Sequence, residues 1–461
     1  MSGLARLLHQ RGARCTGSDA VPSDLTESLR AAGIPVSYEQ SAAELPGACD
    51  LVIASAAITP DHPELLAAQQ RGLDLVTYSE ALGMLQKDRT SVCVAGTHGK
   101  STTSAILCHA LIEAGLDPGF IIGATCAQIG GGSRIGADSI PTGPLAGLPG
   151  VLVSEACEFN RSFHNHRPTI GLINNIEEDH LDIYGSLDAI IEAFADFARL
   201  VPAEADGGRL LIAHDGAHRR EVASGLRCRV ETFGFHPDAD YYVTCESRAR
   251  RASVSHRGDA LATWTMSMPG AHMALNYAAA GILATWLGAE WPAVAAAQQS
   301  FRGLDRRMQC LGAKRVTGGE VVVYDDYGHH PTEIETTLRA LRDAERPRRL
   351  ICVFQPHQHS RTRFLLDQFA RSFSSADQVI VPHIYFVRDS EIEKTKVSAR
   401  DLVDRLRQRG VAARHLHPFE AIVEHLEAEC RDGDLVVIMG AGPVWKVARQ
   451  FMVPGAAGAS C

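Results

Sequence analysis

Short apolar runs alternate with amphipathic stretches along most of the chain. The runs DLVIASAAI, TSVCVAGTHGK, VVVYDDY, RRLICVFQ and GDLVVIMGAG each predict a strand. The segments MSGLARLLHQRG and SAILCHALIEAG instead repeat apolar residues at three- and four-residue spacing, which predicts helices. Strands that alternate with helices form parallel sheets covered by helices, so the pattern predicts an α/β fold.

The length of 461 residues is too great for one hydrophobic core and predicts roughly three domains. We place them at residues 1–88, 89–307 and 308–461. The first has a Rossmann-like alternation, but it opens on a helix rather than on the strand and glycine-rich turn that begin such a unit. We therefore expect this domain to lack its first strand, and expect the functional protein to carry about twenty further residues before Met1.

Composition narrows the class of protein. Hydrophobic residues make up 45% and charged residues 21% of the chain, as in a globular enzyme, and the formal net charge is -9. A nucleic-acid-binding surface needs clustered positive charge, so we expect no nucleic acid partner. The 12 cysteines form no C-x-x-C pair, which favours reduced thiols, and no apolar run is long enough to span a bilayer. These features predict a cytoplasmic protein without membrane contact; oligomeric state is left open.

The segment that follows the strand TSVCVA has the features of a phosphate-binding turn. A glycine-rich turn between a strand and a helix presents backbone N–H groups and the positive end of the helix to phosphate. Lys100 would supply charge to the outer phosphates and Ser101 a hydroxyl to magnesium. The spacing is shorter than the full Walker pattern, so an ordinary strand-to-helix turn is the alternative. The predicted nucleotide loop consists of Gly96, Thr97, His98, Gly99, Lys100, Ser101 and Thr102.

Two further polar side chains follow predicted strands. Glu155 ends the apolar run VLVSE, and His180 follows GLINNIEED. Parallel strands deliver side chains at their carboxyl ends, where the phosphate loop also ends. Glu155 and His180 could therefore join Ser101 around Mg²⁺, although either could be an ordinary surface group.

Seven segments occur in a characteristic order: GTHGKST, SEACE, NNIEEDHLDIYG, PGAHMALNYAAA, FRGLDRRMQ, DDYGHHPTEI and FQPHQHSRT. Together they resemble the muramyl ligase family, and they span all three predicted domains. Within that family, DDYGHHPTE and FQPH followed by SRT resemble the members that add L-alanine. The resemblance implies a Rossmann-like N-terminal domain that binds the UDP-sugar, a central P-loop ATPase-like α/β domain, and a C-terminal Rossmann-like α/β domain that binds the amino acid and closes over the site.

The resemblance implies an ATP- and Mg²⁺-dependent ligase of peptidoglycan precursor synthesis. ATP would phosphorylate the lactyl carboxylate of UDP-N-acetylmuramate, and the amine of L-alanine would then displace phosphate from the acyl phosphate. A recycling ligase that attaches a preformed tripeptide is one alternative, and an inactive, truncated nucleotide-binding paralogue is another. A P-loop NTPase that drives transport or assembly is disfavoured by the short loop spacing and by DDYGHHP.

The resemblance also implies roles for single residues. Lys100, Glu155, His180, Arg306 and His330 would be catalytic, with Glu155 and His180 as magnesium ligands. Nucleotide contacts would come from His272, Asn276, Arg306 and Asp326, with Arg306 reaching the γ-phosphate. Substrate contacts would come from Asp19, Ser55, Arg161, Tyr327, His330 and Arg361. Taken by themselves, Arg306 and Arg307 could be a solvated basic turn, and His329 and His330 a structural turn before a helix that Pro331 opens.

Two features of the sequence depart from the family pattern, one in the third domain and one in the second. Gln358 stands where relatives often carry arginine, but Arg361 remains, so we expect the anion contact of that loop to be weakened rather than removed. Several family members bridge metals with a modified lysine, but residues 181–200 contain no lysine. We expect that feature to be absent here.

Overall fold

The computed structural model describes residues 1–316, 318–387 and 389–453. The chain divides into two compact units. The first comprises residues 1–244, 253–264 and 275–301, and the second comprises residues 245–252, 265–274 and the chain from Arg302 onward.

The N-terminal part of the first unit alternates helices and short strands, as predicted. Its elements are α1 (Ser2–Gln10), β1 (Gly17–Ser18), α2 (Asp24–Ala31), β2 (Val36–Ser37), β3 (Leu51–Ala54), α3 (Pro63–Gln70), β4 (Asp74–Thr77) and α4 (Tyr78–Gln86). The strands form two separate parallel pairs, β1 with β2 and β3 with β4. Leu4 and Leu7 of α1 are buried in a cluster with Ala81 and Leu82 of α4.

The rest of the first unit is built on one ten-stranded sheet. Its strands are β5 (Thr90–Ala95), β6 (Gly119–Ile121), β7 (Ser133–Arg134), β8 (Val151–Glu155), β9 (Ile170–Ile173), β10 (Arg209–Ala213), β11 (Arg229–Gly234), β12 (Tyr241–Glu246), β13 (Arg251–His256) and β14 (Asp259–Thr265). Their order is β14-β13-β12-β11-β10-β9-β5-β8-β6-β7. The helices of this region are α5 (Lys100–Glu113), α6 (Leu181–Tyr184), α7 (Leu187–Arg199), α8 (Arg219–Ala223), α9 (Ala271–Trp286) and α10 (Trp291–Ser300).

Strand β5 occupies an interior position of this sheet, between β8 and β9, and pairs with both in parallel. Val92 to Ala95 have no exposed surface, because neighbouring strands cover their edges and other elements cover both faces. Strands buried on both faces are continuously apolar rather than alternating. This placement brings the carboxyl ends of β5, β8 and β9 side by side.

The second unit contains the predicted C-terminal Rossmann-like sheet. Its strands are β15 (Gln309–Val316), β16 (Gly319–Asp326), β17 (Leu350–Phe354), β18 (Gln378–Val381), β19 (Ala412–His415) and β20 (Leu435–Met439), in the order β15-β16-β20-β17-β18-β19. β15 and β16 are antiparallel, and the remaining pairs are parallel. The helices are α11 (Pro331–Glu345), α12 (His359–Phe364), α13 (Leu366–Arg371), α14 (Ala399–Gln408), α15 (Phe419–Glu429) and α16 (Trp445–Met452). Within the three described ranges, no helix combines the length and apolar character needed to cross a membrane.

Candidate active site

The predicted phosphate turn lies between β5 and α5, and its shape depends on two glycines. Gly96 and Gly99 have φ values of 136° and 82°, which side-chain-bearing residues rarely adopt. A Cβ on Gly99 would lie 2.7 Å from Asn276 Oδ1, so this position also lacks room for a side chain. The chain can therefore turn sharply at Gly99 and begin α5 at Lys100.

Asn175, which follows β9, anchors the turn. Its backbone carbonyl accepts a hydrogen bond from Thr97 N at 3.1 Å, and its side-chain Oδ1 accepts one from His98 N at 2.7 Å. The Thr97 hydroxyl oxygen in turn accepts from Glu177 N at 2.9 Å. The loop is thus held in place by the neighbouring strand end, which keeps its geometry defined before any ligand binds.

A second set of hydrogen bonds joins α5 to α9. Asn174 Nδ2 donates to the Thr103 hydroxyl at 3.1 Å, and that hydroxyl donates to Asn276 Oδ1 at 3.2 Å. All three residues are buried. The predicted nucleotide residue Asn276 therefore lies against the phosphate turn, in the same unit.

Lys100 is half-buried, and its side chain folds back over its own loop. Its Nζ donates to the carbonyl oxygens of Gly96 and Thr97 and forms an ion pair with Glu158 Oε2 at 2.9 Å. Burial by itself lowers the pKa of Lys100, but Glu158 and its neighbouring groups outweigh burial and leave this pKa raised. The lysine is therefore fully charged at neutral pH, as a phosphate contact requires.

Ser101 and Glu155 meet at the first turn of α5. The Ser101 hydroxyl donates to Glu155 Oε2 at 3.0 Å, and Glu155 Oε1 accepts from Gly123 N. The register explains the meeting, since Glu155 pairs with Val94 on β5 and lies one residue short of that strand's end. Tyr78 also lies near this carboxylate: burial, followed by the charge of Glu155, raises the pKa of Tyr78 to about 12.

The donors at this point fit a magnesium ion. A hydroxyl and a carboxylate are hard oxygen ligands, which Mg²⁺ prefers in company with several waters. The remaining predicted ligand, His180, has a left-handed backbone with φ 53° and directly precedes α6. Its ring packs edge-on against Phe159 at 5.1 Å, and its Nε2 lies 3.6 Å from Asp179 Oδ2. The structure therefore brings Ser101 and Glu155 into contact and places His180 in a separate set of contacts.

Other predicted substrate residues of the first unit lie at turns. Arg161 has a left-handed backbone with φ 54°, and its guanidinium lies 5.6 Å from the Tyr184 ring centre. Asp19 follows β1 and accepts a hydrogen bond from Val21 N, and Ser55 follows β3 and accepts one from Ala57 N. Asp19 and Ser55 thus directly follow the carboxyl ends of strands.

In the second unit, Arg306 is held by groups at the end of β20 and by Asp325. Its guanidinium donates to the carbonyl oxygens of Gly440 and, at 3.4 Å, Gly442, and its Nε lies 3.6 Å from Asp325 Oδ2. Burial raises the pKa of Asp325 to about 6 against the opposing charge of Arg306. Arg306 is half-buried in this cluster, so it is more than a solvated basic turn.

The buried side chain of Asp326 accepts hydrogen bonds from two backbone N–H groups near the end of β16. Its Oδ2 accepts from Met308 N at 2.7 Å, and its Oδ1 accepts from Gly328 N. Burial also raises the pKa of Asp326 to about 6, because the carboxylate is shielded from water. This predicted nucleotide contact is therefore already engaged with backbone N–H groups.

His330 forms the N-cap of α11. Its Nδ1 accepts from Thr332 N at 3.3 Å, while Glu333 Oε2 accepts from His330 N at 3.1 Å, a reciprocal capping box. Pro331 takes the first helical position, as expected. The structural alternative for His330, a turn before a helix that Pro331 opens, is therefore realised.

The remaining predicted residues of the second unit occupy loops and helix starts. The guanidinium groups of Arg306 and Arg307 lie 5.1 and 4.8 Å from the Tyr327 ring centre. Arg361 belongs to α12. The residue directly before this helix is Gln358, whose φ is 67°. His272 lies in the first turn of α9, among the residues of that helix that belong to the second unit.

Sequence reasoning missed three residues that contact the phosphate turn or the start of α5 from other segments. Glu158 was visible as the second acid of SEACE, and Asn174 and Asn175 as the paired amides of NNIEEDH. Their signal was a polar residue within three residues of the end of an apolar strand, close to the signal that identified Glu155. What it could not reveal is which partner each side chain meets.

Comparison with known proteins gives three matching family profiles. They are described as the Mur ligase family catalytic domain at residues 1–90, the Mur ligase middle domain at 94–284, and the Mur ligase glutamate ligase domain at 306–442. Two relatives are named UDP-N-acetylmuramate--L-alanine ligase. That of Agathobacter rectalis is 37% identical, covering 98% of this chain and 95% of the relative. That of Clostridium novyi is 36% identical, covering 98% and 94%.

Two solved structures are similar to this chain over 98% of its length. The UDP-N-acetylmuramate-alanine ligase of Thermotoga maritima has a TM-score of 0.78 and 25% identity, covering 98% of this chain and 95% of that one. The murein peptide ligase of Psychrobacter arcticus has a TM-score of 0.71, with the same identity and coverage.

Proposed function

The chain belongs to the Mur ligase family, and we propose that it ligates L-alanine to the lactyl carboxylate of UDP-N-acetylmuramate with cleavage of ATP to ADP and phosphate. Support comes from relatives named UDP-N-acetylmuramate--L-alanine ligase, which are 35–37% identical over 98% of this chain. Since ATP is a substrate, we place the reaction in the cytoplasm.

The observation that carries the proposal is the phosphate turn. Lys100 is charged and held at the loop, and the Ser101 hydroxyl contacts the Glu155 carboxylate at 3.0 Å. A nucleoside triphosphate with its magnesium ion requires a fixed positive charge and backbone N–H groups for the phosphates. It also requires hard oxygen ligands for the ion, here the Ser101 hydroxyl and the Glu155 carboxylate.

A carboxylate is a poor electrophile, so amide formation needs a better leaving group. Transfer of the terminal phosphoryl group of ATP to the lactyl oxygen would form an acyl phosphate; the amine then attacks the acyl carbon and phosphate departs. Lys100 would stabilise charge on the transferring phosphoryl oxygens. Ser101 and Glu155, with His180 as a third ligand, would hold Mg²⁺, which supplies neutralisation of phosphate charge when bound.

The remaining roles are part of the same proposal. His272, Asn276, Arg306 and Asp326 would contact the nucleotide. Asp19, Ser55 and Arg161 would contact the sugar nucleotide. Tyr327, His330 and Arg361 would surround the acyl group and the amino acid, with Arg361 as the charged anchor of a loop that carries Gln358.

A recycling ligase is the second candidate, favoured by the similarity to the murein peptide ligase of P. arcticus. The two activities are separated by measuring phosphate release with UDP-N-acetylmuramate while the amine is varied among L-alanine, L-serine, glycine and a murein tripeptide. We expect release with L-alanine at the highest kcat/KM. Release with the tripeptide alone would reject the proposal in favour of the second candidate, and release without any amine would indicate a simple ATPase.

A further inference from the structure

The helix that carries Arg361 is too short to hold its own position. α12 spans six residues, and isolated helices of fewer than about 12 residues are marginal in water. The first N–H groups of any α-helix also have no partner within that helix. The residue before α12, Gln358, has a φ of 67°, a backbone conformation that persists only where the surrounding structure imposes it. The start of α12 is therefore held by contacts from outside the helix.

Asp389, in the segment that follows β18, supplies such a contact. Its Oδ2 accepts a hydrogen bond from His359 N and another, at 3.1 Å, from Ser360 N. The Asp389 side chain is 4% exposed, so water competes little for its carboxylate. A carboxylate at this place also meets the positive end of the helix, and hydrogen bonds to a charged acceptor are about twice as strong as neutral ones. One buried acid thus satisfies the first two amides of α12.

Two further sets of hydrogen bonds join the same two segments. Before the helix, Gln358 N donates to Tyr385 O at 3.0 Å, and Tyr385 N donates to Pro356 O at 2.9 Å. Later in the helix, Arg363 Nε donates to Glu393 Oε2 at 3.0 Å, and the guanidinium also donates to Glu393 Oε1 at 3.2 Å. The segment after β18 therefore contacts the chain around α12 before, at and after the start of the helix.

We propose that Asp389 is a positioning residue for Arg361, because it fixes the first turn of α12 and with it the point from which the guanidinium reaches its anionic partner. The inference rests on the proposed function, in which Arg361 is the charged anchor of the acyl and amino-acid site. Arg361 directly follows Ser360, so a displacement of the Ser360 amide also displaces Arg361. A misplacement of about 1 Å can cost roughly 10²-fold in rate. Asp389 acts through the helix and not by contact with the substrate.

The experiment is a double-variant cycle between Asp389 and Arg361. Phosphate release gives kcat and KM for UDP-N-acetylmuramate at saturating ATP and L-alanine. We expect Asp389→Ala to lower kcat/KM about ten- to hundredfold in the otherwise wild-type chain. In the Arg361→Ala background it should lower kcat/KM by about twofold at most, because a side chain that is absent cannot be misplaced. An acid that only stabilises the fold would give the same factor in both backgrounds, and that result would overturn the proposal.

Two further variants control for charge and for folding. Asp389→Asn keeps an acceptor oxygen and loses the charge, so it should lower kcat/KM less than Asp389→Ala does. The cycle is run with Asp389→Asn if the alanine variant does not fold. The matched control is Asp367→Asn in α13, because the Asp367 side chain is 63% exposed and pairs with Arg405. It should stay within about twofold of the wild type, and a loss as large as that of Asp389→Asn would contradict the proposal.

Amide hydrogen exchange gives a second readout that does not depend on turnover. The amides of His359 and Ser360 should exchange at least about tenfold faster in Asp389→Ala than in the wild type, because they lose their acceptor. Unchanged exchange at both amides would overturn the proposal. Failure of the proposed function is a separate result, namely a wild type that releases no phosphate with L-alanine. The cycle then uses the amine that the wild type accepts, and for a chain inactive with every amine the exchange rates decide.

Discussion

Lys100→Met leaves the carboxylate of Glu158 buried without the ammonium group that neutralises it. The exposed fractions of the two side chains are 15% for Lys100 and 5% for Glu158, and their charged atoms lie 2.9 Å apart. Removal of one partner from a buried ion pair costs about 3–5 kcal/mol. Glu158→Gln should cost less, about 1–3 kcal/mol, because Lys100 keeps the carbonyl oxygens of Gly96 and Thr97.

The double variant Lys100→Met, Glu158→Gln removes both charges and should recover about 1–3 kcal/mol relative to the sum of the single costs. For a domain of this size, 1 kcal/mol corresponds to about 2–4 °C, so Lys100→Met should lower the thermal midpoint by about 6–20 °C. The assay is thermal unfolding of the nucleotide-free chain followed by circular dichroism. Lys87→Met, at an exposed lysine, is the control and should change the midpoint by about 2 °C at most.

Strict additivity of the two single substitutions would refute this reasoning, since it would mean that the pair contributes no coupling energy. If Lys100→Met and Lys87→Met had the same thermal midpoint, the result would contradict the burial of the Glu158 carboxylate. Ligase activity should be lost in every variant that lacks Lys100, whatever the stability result, because the phosphoryl oxygens lose their ammonium contact.

Further predictions concern the metal donors, the β16 carboxylate and the helix cap. Ser101→Ala and Glu155→Gln should each raise the Mg²⁺ concentration needed for half-maximal activity at saturating ATP, and unchanged titrations would reject their metal role. The pKa of Asp325 is raised from 3.8 to about 6, so the folded state binds the extra proton and stability falls as pH rises through that window. Asp325→Asn should flatten this fall in thermal midpoints measured from pH 4 to 7, and an unchanged slope would contradict the assignment. His330→Ala should cost about 0.5–2 kcal/mol in urea unfolding, whereas His330→Asn retains an N-cap and should cost little. Equal losses would exclude capping, and a stable but inactive His330→Asn would support contact with substrate.

Sequence by itself determined the local elements and the family. The phosphate turn was predictable because an apolar strand, two glycines, a lysine and a helix-forming segment are consecutive, and each acts on its neighbours along the chain. The N-terminal helix, the apolar strands of the C-terminal sheet and the opening of α11 by Pro331 were predictable for the same reason. The three-domain organisation is confirmed by the family profiles, and the exact boundaries stay a prediction.

Tertiary structure decided which distant groups meet. Glu158 lies 58 residues from Lys100 and reaches it because β8 pairs with β5. The N-terminal strands pair as two separate two-stranded sheets within the described residues, a pairing that the local pattern did not specify. The carboxylate of Glu155 meets the Ser101 hydroxyl through the register of β8 and β5. Strand order, register and burial depend on packing over the whole domain, and a change of register by one residue would turn these side chains to the other face without altering any local preference.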